Sequence, residues 1–209
     1  MPKAPAELTA IHPASNGAKE QIEYTQPYMA TVTIQGVAPY LFHAWNNESV
    51  EEKSKASKGS VSKRTDDLEA SVYRTPTGTL GIKGVALKRA IENMAKFKQD
   101  PRSPRKSAMD LYKAGVIAVN ILADTGVKTW DYVDRQRVTI QHTSAITRSR
   151  PALKEGWQAK FELLVTLPEY IAPMQLLARI EEAGRLNGIG DYRPTYGRFQ
   201  VVKFDHKLA

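Results

Sequence analysis

Apolar and polar residues alternate along Tyr28–Val37, with Ala30, Val32 and Ile34 set against Thr31, Thr33 and Gln35. That two-residue period predicts a half-buried strand. Gly36 and Pro39 interrupt it, and a dense cluster of Tyr40, Leu41, Phe42, His43 and Trp45 follows. Further on, Thr75-Pro76-Thr77-Gly78 places Pro and Gly where a type I turn accepts them, which predicts a hairpin of two short strands. Behind Gly81 and Gly84, the residues Leu87, Ala90, Ile91 and Met94 fall at i, i+3, i+4 and i+7. They form one apolar stripe of a helix that ends before Asp100-Pro101.

The run GVIAVNILAD (115–124) reads as a buried strand, with a buried helical segment as the alternative. Val138, Ile140 and His142 then alternate with Thr139, Gln141 and Thr143, and clean alternation resumes at Ala159, Phe161, Leu163 and Val165. These two strands are expected to pair as a hairpin with a long basic tip between them. A second helix is expected from Ala172, with Pro173 in its first turn, Leu176, Leu177, Ile180, Ala183 and Gly184 as its packing face, and Gly188 as its stop. A glycine-punctuated loop then feeds a last strand at Arg198–Phe204.

With 209 residues the chain can bury a core without metal or disulfide staples. Its 42% hydrophobic and 25% charged residues exclude wholesale disorder. The absence of Cys excludes disulfides, Cys-ligated zinc or iron–sulfur sites and a thiol nucleophile. No apolar run approaches the roughly 18 residues of a membrane-spanning helix, so the expectation is a cytoplasmic protein with no membrane partner. Residues 1–27 mix Pro, Ala, Ser and Gly and read as a flexible arm, with a short docking piece at Leu8–Ile11. Residues 28–209 read as one domain with insertions at about 46–70, 98–114 and 143–157.

A formal charge of +8 favours a polyanionic partner. The cations concentrate in three basic loops, at 53–64, 98–106 and 148–154. Each alone is ordinary solvated surface; together they are expected to line one groove that tracks a nucleic-acid backbone. Gly81-Ile82-Lys83-Gly84 ahead of a helix offers backbone N–H groups and a cation to a phosphate, although it matches neither the Walker nor the dinucleotide pattern, and a tight strand-to-helix turn explains it equally well. The four histidines lack metal-ligand spacing, and His43, amid Phe42 and Trp45, reads as a packed or stacking residue. Asp66-Asp67 reads as a solvated pair rather than a metal site. No catalytic residue, metal or cofactor is expected.

The order strand, insertion, hairpin, G-x-K-G-x-x-L-K-R-A helix, strand, basic hairpin, strand, helix and glycine-marked final strand resembles the RAMP superfamily of CRISPR-associated proteins. Three segments carry the resemblance: VYRTPTGTLGIKGVALKRAIENM, RVTIQHTSAITRSRPALKEGWQAKFELLV and LNGIGDYRPTYGRFQV. The second is similar to that family's thumb hairpin and the third to its terminal glycine-rich segment, with Gly188, Gly190 and Gly197. The resemblance implies an α+β fold with a ferredoxin-like, RNA-recognition-motif core carrying long basic loop insertions. It also implies the role of the backbone subunit that polymerises along guide RNA, or of a solitary, virus-encoded relative.

The expectation is therefore a non-enzymatic protein that binds single-stranded nucleic acid, RNA in preference to DNA, and assembles with copies of itself or other CRISPR effector subunits. Lys83, Lys88, Arg89, Arg148 and Arg150 are the expected backbone contacts, with Arg193 and Arg198 behind them, and His43 and Trp45 the stacking candidates. The alternatives are a RAMP endoribonuclease using Asp66 or Asp67 with a metal, or His43 without one; a viral single-stranded DNA-binding protein; and an inhibitor that mimics a complex subunit.

Overall fold

The structure is a computed structural model and describes residues 25–44, 51, 55, 67–140 and 144–209. Trp45, His142, Asp66 and the basic segment 53–64, apart from Lys55, lie outside the described residues. In chain order the elements are β1 (Tyr28–Gly36), β2 (Tyr40–Leu41), a 3-10 turn (Glu69–Ser71), β3 (Tyr73–Arg74), β4 (Leu80–Lys83), α1 (Gly84–Ala95), β5 (Gln99–Asp100), β6 (Ser103–Ser107), α2 (Met109–Gly115), β7 (Val116–Ala118), β8 (Leu122–Asp124), β9 (Tyr132–Ile140), β10 (Ser144–Leu153), β11 (Gln158–Val165), α3 (Pro173–Leu186) and β12 (Phe199–Leu208).

The main sheet has the antiparallel order β12-β1-β11-β7. With α1 between β1 and β7, and α3 between β11 and β12, this is the βαββαβ arrangement of a ferredoxin-like core. The fold class is thus the α+β one expected. Alternation places Tyr28, Ala30, Val32 and Ile34 of β1 beside Ala159, Phe161, Leu163 and Val165 of β11, all buried. The apolar stripes of α1 (Leu87, Ala90, Ile91, Met94) and α3 (Leu176, Ile180, Ala183) cover that face.

Smaller sheets surround this core: β2-β10-β9, β3-β4-β8 and the β5-β6 ribbon. They depart from the sequence expectation in three places. Residues 115–124 are not one strand: β7 joins the main sheet and β8 pairs with β4, with a break at Val119–Ile121. The segment around 148–154 is no loop, because β10 pairs with β9 from Ser144 to Ala152 and with β2 through Ala152 and Leu153. The expected pairing of the 138–143 strand with β11 is therefore replaced by a β9–β10 hairpin. The basic segment 98–106 folds as β5 and β6, and α2 follows where no helix was expected.

The expected Thr75–Gly78 hairpin is present, with Gly78 N–H donating to the Thr75 carbonyl at 2.9 Å. At α3 the Ala172 N–H donates to the Gln175 side chain, and Gly188 N–H closes the far end by donating to Ala183 at 2.8 Å. Gly197 shows how tightly the last loop is folded: φ is +72°, and a Cβ there would lie 1.6 Å from the Ile189 carbonyl oxygen. Gly126 has a similar φ of +74° but open space around it. Gly126→Ala is therefore expected to cost about 1–2 kcal/mol, the left-handed penalty alone. Gly197→Ala is expected to cost several-fold more; chemical denaturation of the two variants measures the difference.

Candidate nucleic-acid interface

A cleft of about 440 Å3 opens where the N-terminus of α1 meets β2 and the loop that follows α3. Lys83 reaches it from the end of β4, Arg89 from the first turns of α1, His43 from just beyond β2, and Arg193 from the 190–194 loop. Phe42, Tyr40, Tyr73, Val85 and Ala86 supply its apolar walls. Four residues picked from the sequence thus meet in one place, although they come from three distant segments.

The local chemistry suits an anion. No side chain caps the start of α1 and no acidic residue sits in its first turn. Gly84 N–H is used up by the Ile121 carbonyl at 3.0 Å, while Val85 and Ala86 line the cleft. The helix therefore offers amides and the positive end of its dipole to a ligand. Lys83 Nζ sits 4.4 Å from the centre of the Tyr73 ring, which holds the cation at the mouth. Gly84 itself has a packing reason, since a Cβ there would lie 2.1 Å from the Asn120 carbonyl oxygen.

One acid, Asp191, stands in the wall. Its Oδ2 accepts from Arg150 Nε at 3.0 Å and lies 3.2 Å from His43 Nδ1, and Arg150 Nη2 is 3.4 Å from His43 Nε2. Burial alone would push the Asp191 carboxyl up; the hydrogen bonds from His43 and Arg150 outweigh it and hold it at about 2. Arg150 is only 7% exposed, so it stands behind the cleft, committed to Asp191.

The other expected contacts are placed differently. Lys88 lies 3.5 Å from Glu92 on the flank of α1. Arg148 sits on β10, opposite Gln136. Arg198 is exposed just before β12 and donates to the Pro194 carbonyl at 2.9 Å. The β9–β10 hairpin also carries Arg135 and Arg137, both exposed, which fall in none of the basic loops because they belong to a strand. Their i, i+2 spacing, which puts both on one face, was the available signal.

The hairpin docks on the loop beside the cleft. Gln136 Nε2 donates to Tyr196 Oη at 3.0 Å, and Tyr196 donates to Asp134 Oδ1 at 3.3 Å. Burial and the nearby Asp134 push the Tyr196 phenol up, which keeps it a donor.

Of the three basic loops expected to share one trough, 53–64 lies outside the described residues apart from Lys55, and 98–106 stands away from the cleft. The 98–106 segment lies past the far end of α1, a helix of 12 residues, and so about 18 Å long at 1.5 Å per residue. There Arg102 pairs with Asp100 at 2.8 Å, and Lys98 lies 3.2 Å from Glu182. The uncovered face of the central strands carries Thr31, Thr33, Gln35, Gln158, Lys160, Glu162 and Leu164, none of them aromatic. Asp67 accepts from the Glu69 and Ala70 amides and so begins the 3-10 turn. Among the described residues no group of acids and histidines is arranged to hold a metal, and no helix is long and apolar enough to cross a membrane.

No family model and no curated protein matches this chain. Among solved structures it is similar to a chain of the cryo-EM structure of the Type III-B Cmr-beta bound to cognate target RNA, with a TM-score of 0.53 and 11% identity. The match covers 88% of this chain and 61% of that one, so this chain spans about three-fifths of that chain's length. At that identity the likeness is one of fold, and it agrees with the ferredoxin-like core.

The depressed Asp191 carboxyl makes an acid-range prediction. Its folded value lies below its ordinary 3.8, so its contribution is present above about pH 4 and is lost as pH falls towards 2. Asp191→Asn should therefore lower stability at neutral pH, with the gap to the parent protein narrowing from pH 4 to pH 2, as thermal unfolding across that range would report.

Proposed function

We propose that this protein binds single-stranded nucleic acid, RNA in preference to DNA, by its sugar–phosphate backbone, as a non-enzymatic subunit of a CRISPR-type ribonucleoprotein complex. The observation that carries the reading is the meeting of Lys83, Arg89, Arg193 and His43 at the uncapped start of α1. The fold shared with a chain of an RNA-bound Cmr-beta structure supports it. In this reading a phosphate sits between the three cations and the α1 amides, and the strand leaves along the β9–β10 hairpin past Arg148, which shares the ribbon face of Gln136. Copies of the protein, or other effector subunits, continue the track. Contacts of this kind carry affinity without sequence preference.

Fluorescence anisotropy with a labelled single-stranded oligoribonucleotide tests the reading. Binding should weaken steeply with salt, and Lys83→Ala and Arg89→Ala should each reduce the salt slope by about 1. Binding absent at low salt, or unchanged by both substitutions, would remove the reading.

A second reading, RNA cleavage, rests on His43, a half-exposed imidazole oriented by the Asp191 carboxylate as a general acid–base must be. Labelled RNA that is cut without divalent ions by the parent protein, and left whole by His43→Ala, would replace pure binding with this activity.

A further inference from the structure

Strand β12 runs ten residues along the outside of the main sheet, paired to β1 on one side. On its other side no strand stands among the described residues. Such an edge presents a row of backbone donors and acceptors to any further strand. The strand also outruns the helical layer: from Val202 onward every side chain is exposed except Phe204, which is half-buried.

The residues around Phe204 are symmetric in charge. Lys203 and Asp205 flank it, lie opposite Thr33 and Thr31 on the uncovered face of the sheet, and pair with each other at 2.9 Å. Phe204 lies opposite buried Val32, towards the helix side. A second copy laid antiparallel with Phe204 against Phe204 sets Lys203 across from Asp205 of the second copy, and Asp205 across from its Lys203. The result is a closed square of alternating charge on one face and a cross-strand aromatic pair on the other. Charges of one sign would guard the edge against such pairing; alternating signs about a centre attract their own copy. The register shift beside Val202 limits the ladder at one end, which fits a weak association.

We infer that β12 is a homotypic docking edge, through which two copies of this chain join antiparallel about a two-fold axis at Phe204, making one continuous sheet of their two main sheets. This stands independently of whether the cleft takes RNA.

Sedimentation of the full chain over a range of concentrations tests it, with the expectation of a monomer–dimer equilibrium. Asp205→Lys and Lys203→Asp, both at exposed positions, should each weaken dimerisation by about tenfold or more through opposed like charges. An equimolar mixture of the two variants, and the double swap K203D/D205K, should restore it, which no general loss of folding would do. In a chain without other cysteines, Phe204→Cys should form a covalent dimer on oxidation, since directly paired Cα atoms lie within disulfide range. A protein monomeric at every concentration, or a dimer indifferent to the swaps, overturns the inference. So does concentration-independent protection of the outward-facing β12 amides, those not bonded to β1, which would mean that a segment of the same chain covers the edge.

Discussion

The cleft depends on the pairing of buried Arg150 with the part-exposed Asp191. Arg150 belongs to β10 and Asp191 to the loop after α3, 41 residues apart in sequence, and His43 beyond β2 touches both. One bidentate-capable cation therefore ties the hairpin, the last loop and the aromatic segment to each other. Burying a guanidinium costs more than its attraction to a carboxylate returns unless it is well bonded, and Arg150 is bonded to Asp191 and the Ser149 carbonyl, with His43 beside it. The cost is tolerated here because the pair does a second thing. It neutralises the one carboxylate in the wall, so that Lys83, Arg89 and Arg193 face the cleft without an opposing charge of full strength.

The same pair explains what sequence could and could not disclose. β1, β11, the Thr75–Gly78 hairpin, α1 and α3 were legible because each buries one face, and burial of one face writes its period into the chain. β10 was not: Arg148, Arg150 and Pro151 read as a polar, turn-rich connection, yet Pro151 pairs with Val133 and its carbonyl accepts the Phe42 N–H at 3.0 Å. Its strand character comes from partners far away in the chain, and its arginine is polar because it is bonded, not because it is solvated. α2 has seven residues and no side-chain cap, too little for a periodic signal. Within the site, Lys83 and Arg89 were visible from their place beside the glycines and the helix start. Asp191 was invisible, since nothing near it in sequence announces partners at His43 and Arg150.

Composition alone misjudged where the charge acts. Counting basic loops treats 98–106 and 148–154 as equivalent, but the first lies past the end of α1 away from the cleft, and its Arg102 and Lys98 are paired with Asp100 and with Glu182 of α3. On the β9–β10 hairpin, a strand pair rather than a loop, Arg148 and Arg150 share the face that meets the Tyr196 loop beside the cleft, whereas Arg135 and Arg137 point to the opposite face. A polyanion reaching across both ends would have to travel the length of a helix whose exposed positions are Val85, Arg89 and Asn93, with Lys88 held by Glu92 on its flank. A path from the α1 start to the hairpin runs from Arg89 and Arg193 towards Arg148.

The sheet surface then limits how a strand could be read. Recognition-motif sheets stack bases on aromatic rings of their central strands, and here those positions hold threonine, glutamine, lysine and glutamate. The aromatic rings that do lie near the candidate interface, Tyr40, Phe42 and Tyr73, line the cleft rather than the open sheet. Tyr40 and Phe42 are also buried and packed edge to face, with ring centres 4.8 Å apart. They are walls that exclude water from the cations, which strengthens each charge–phosphate contact, and they leave little flat area for a base to cover. Under the proposed function, affinity in such a site would come from phosphate, and base identity would be left for whatever pairs with the strand.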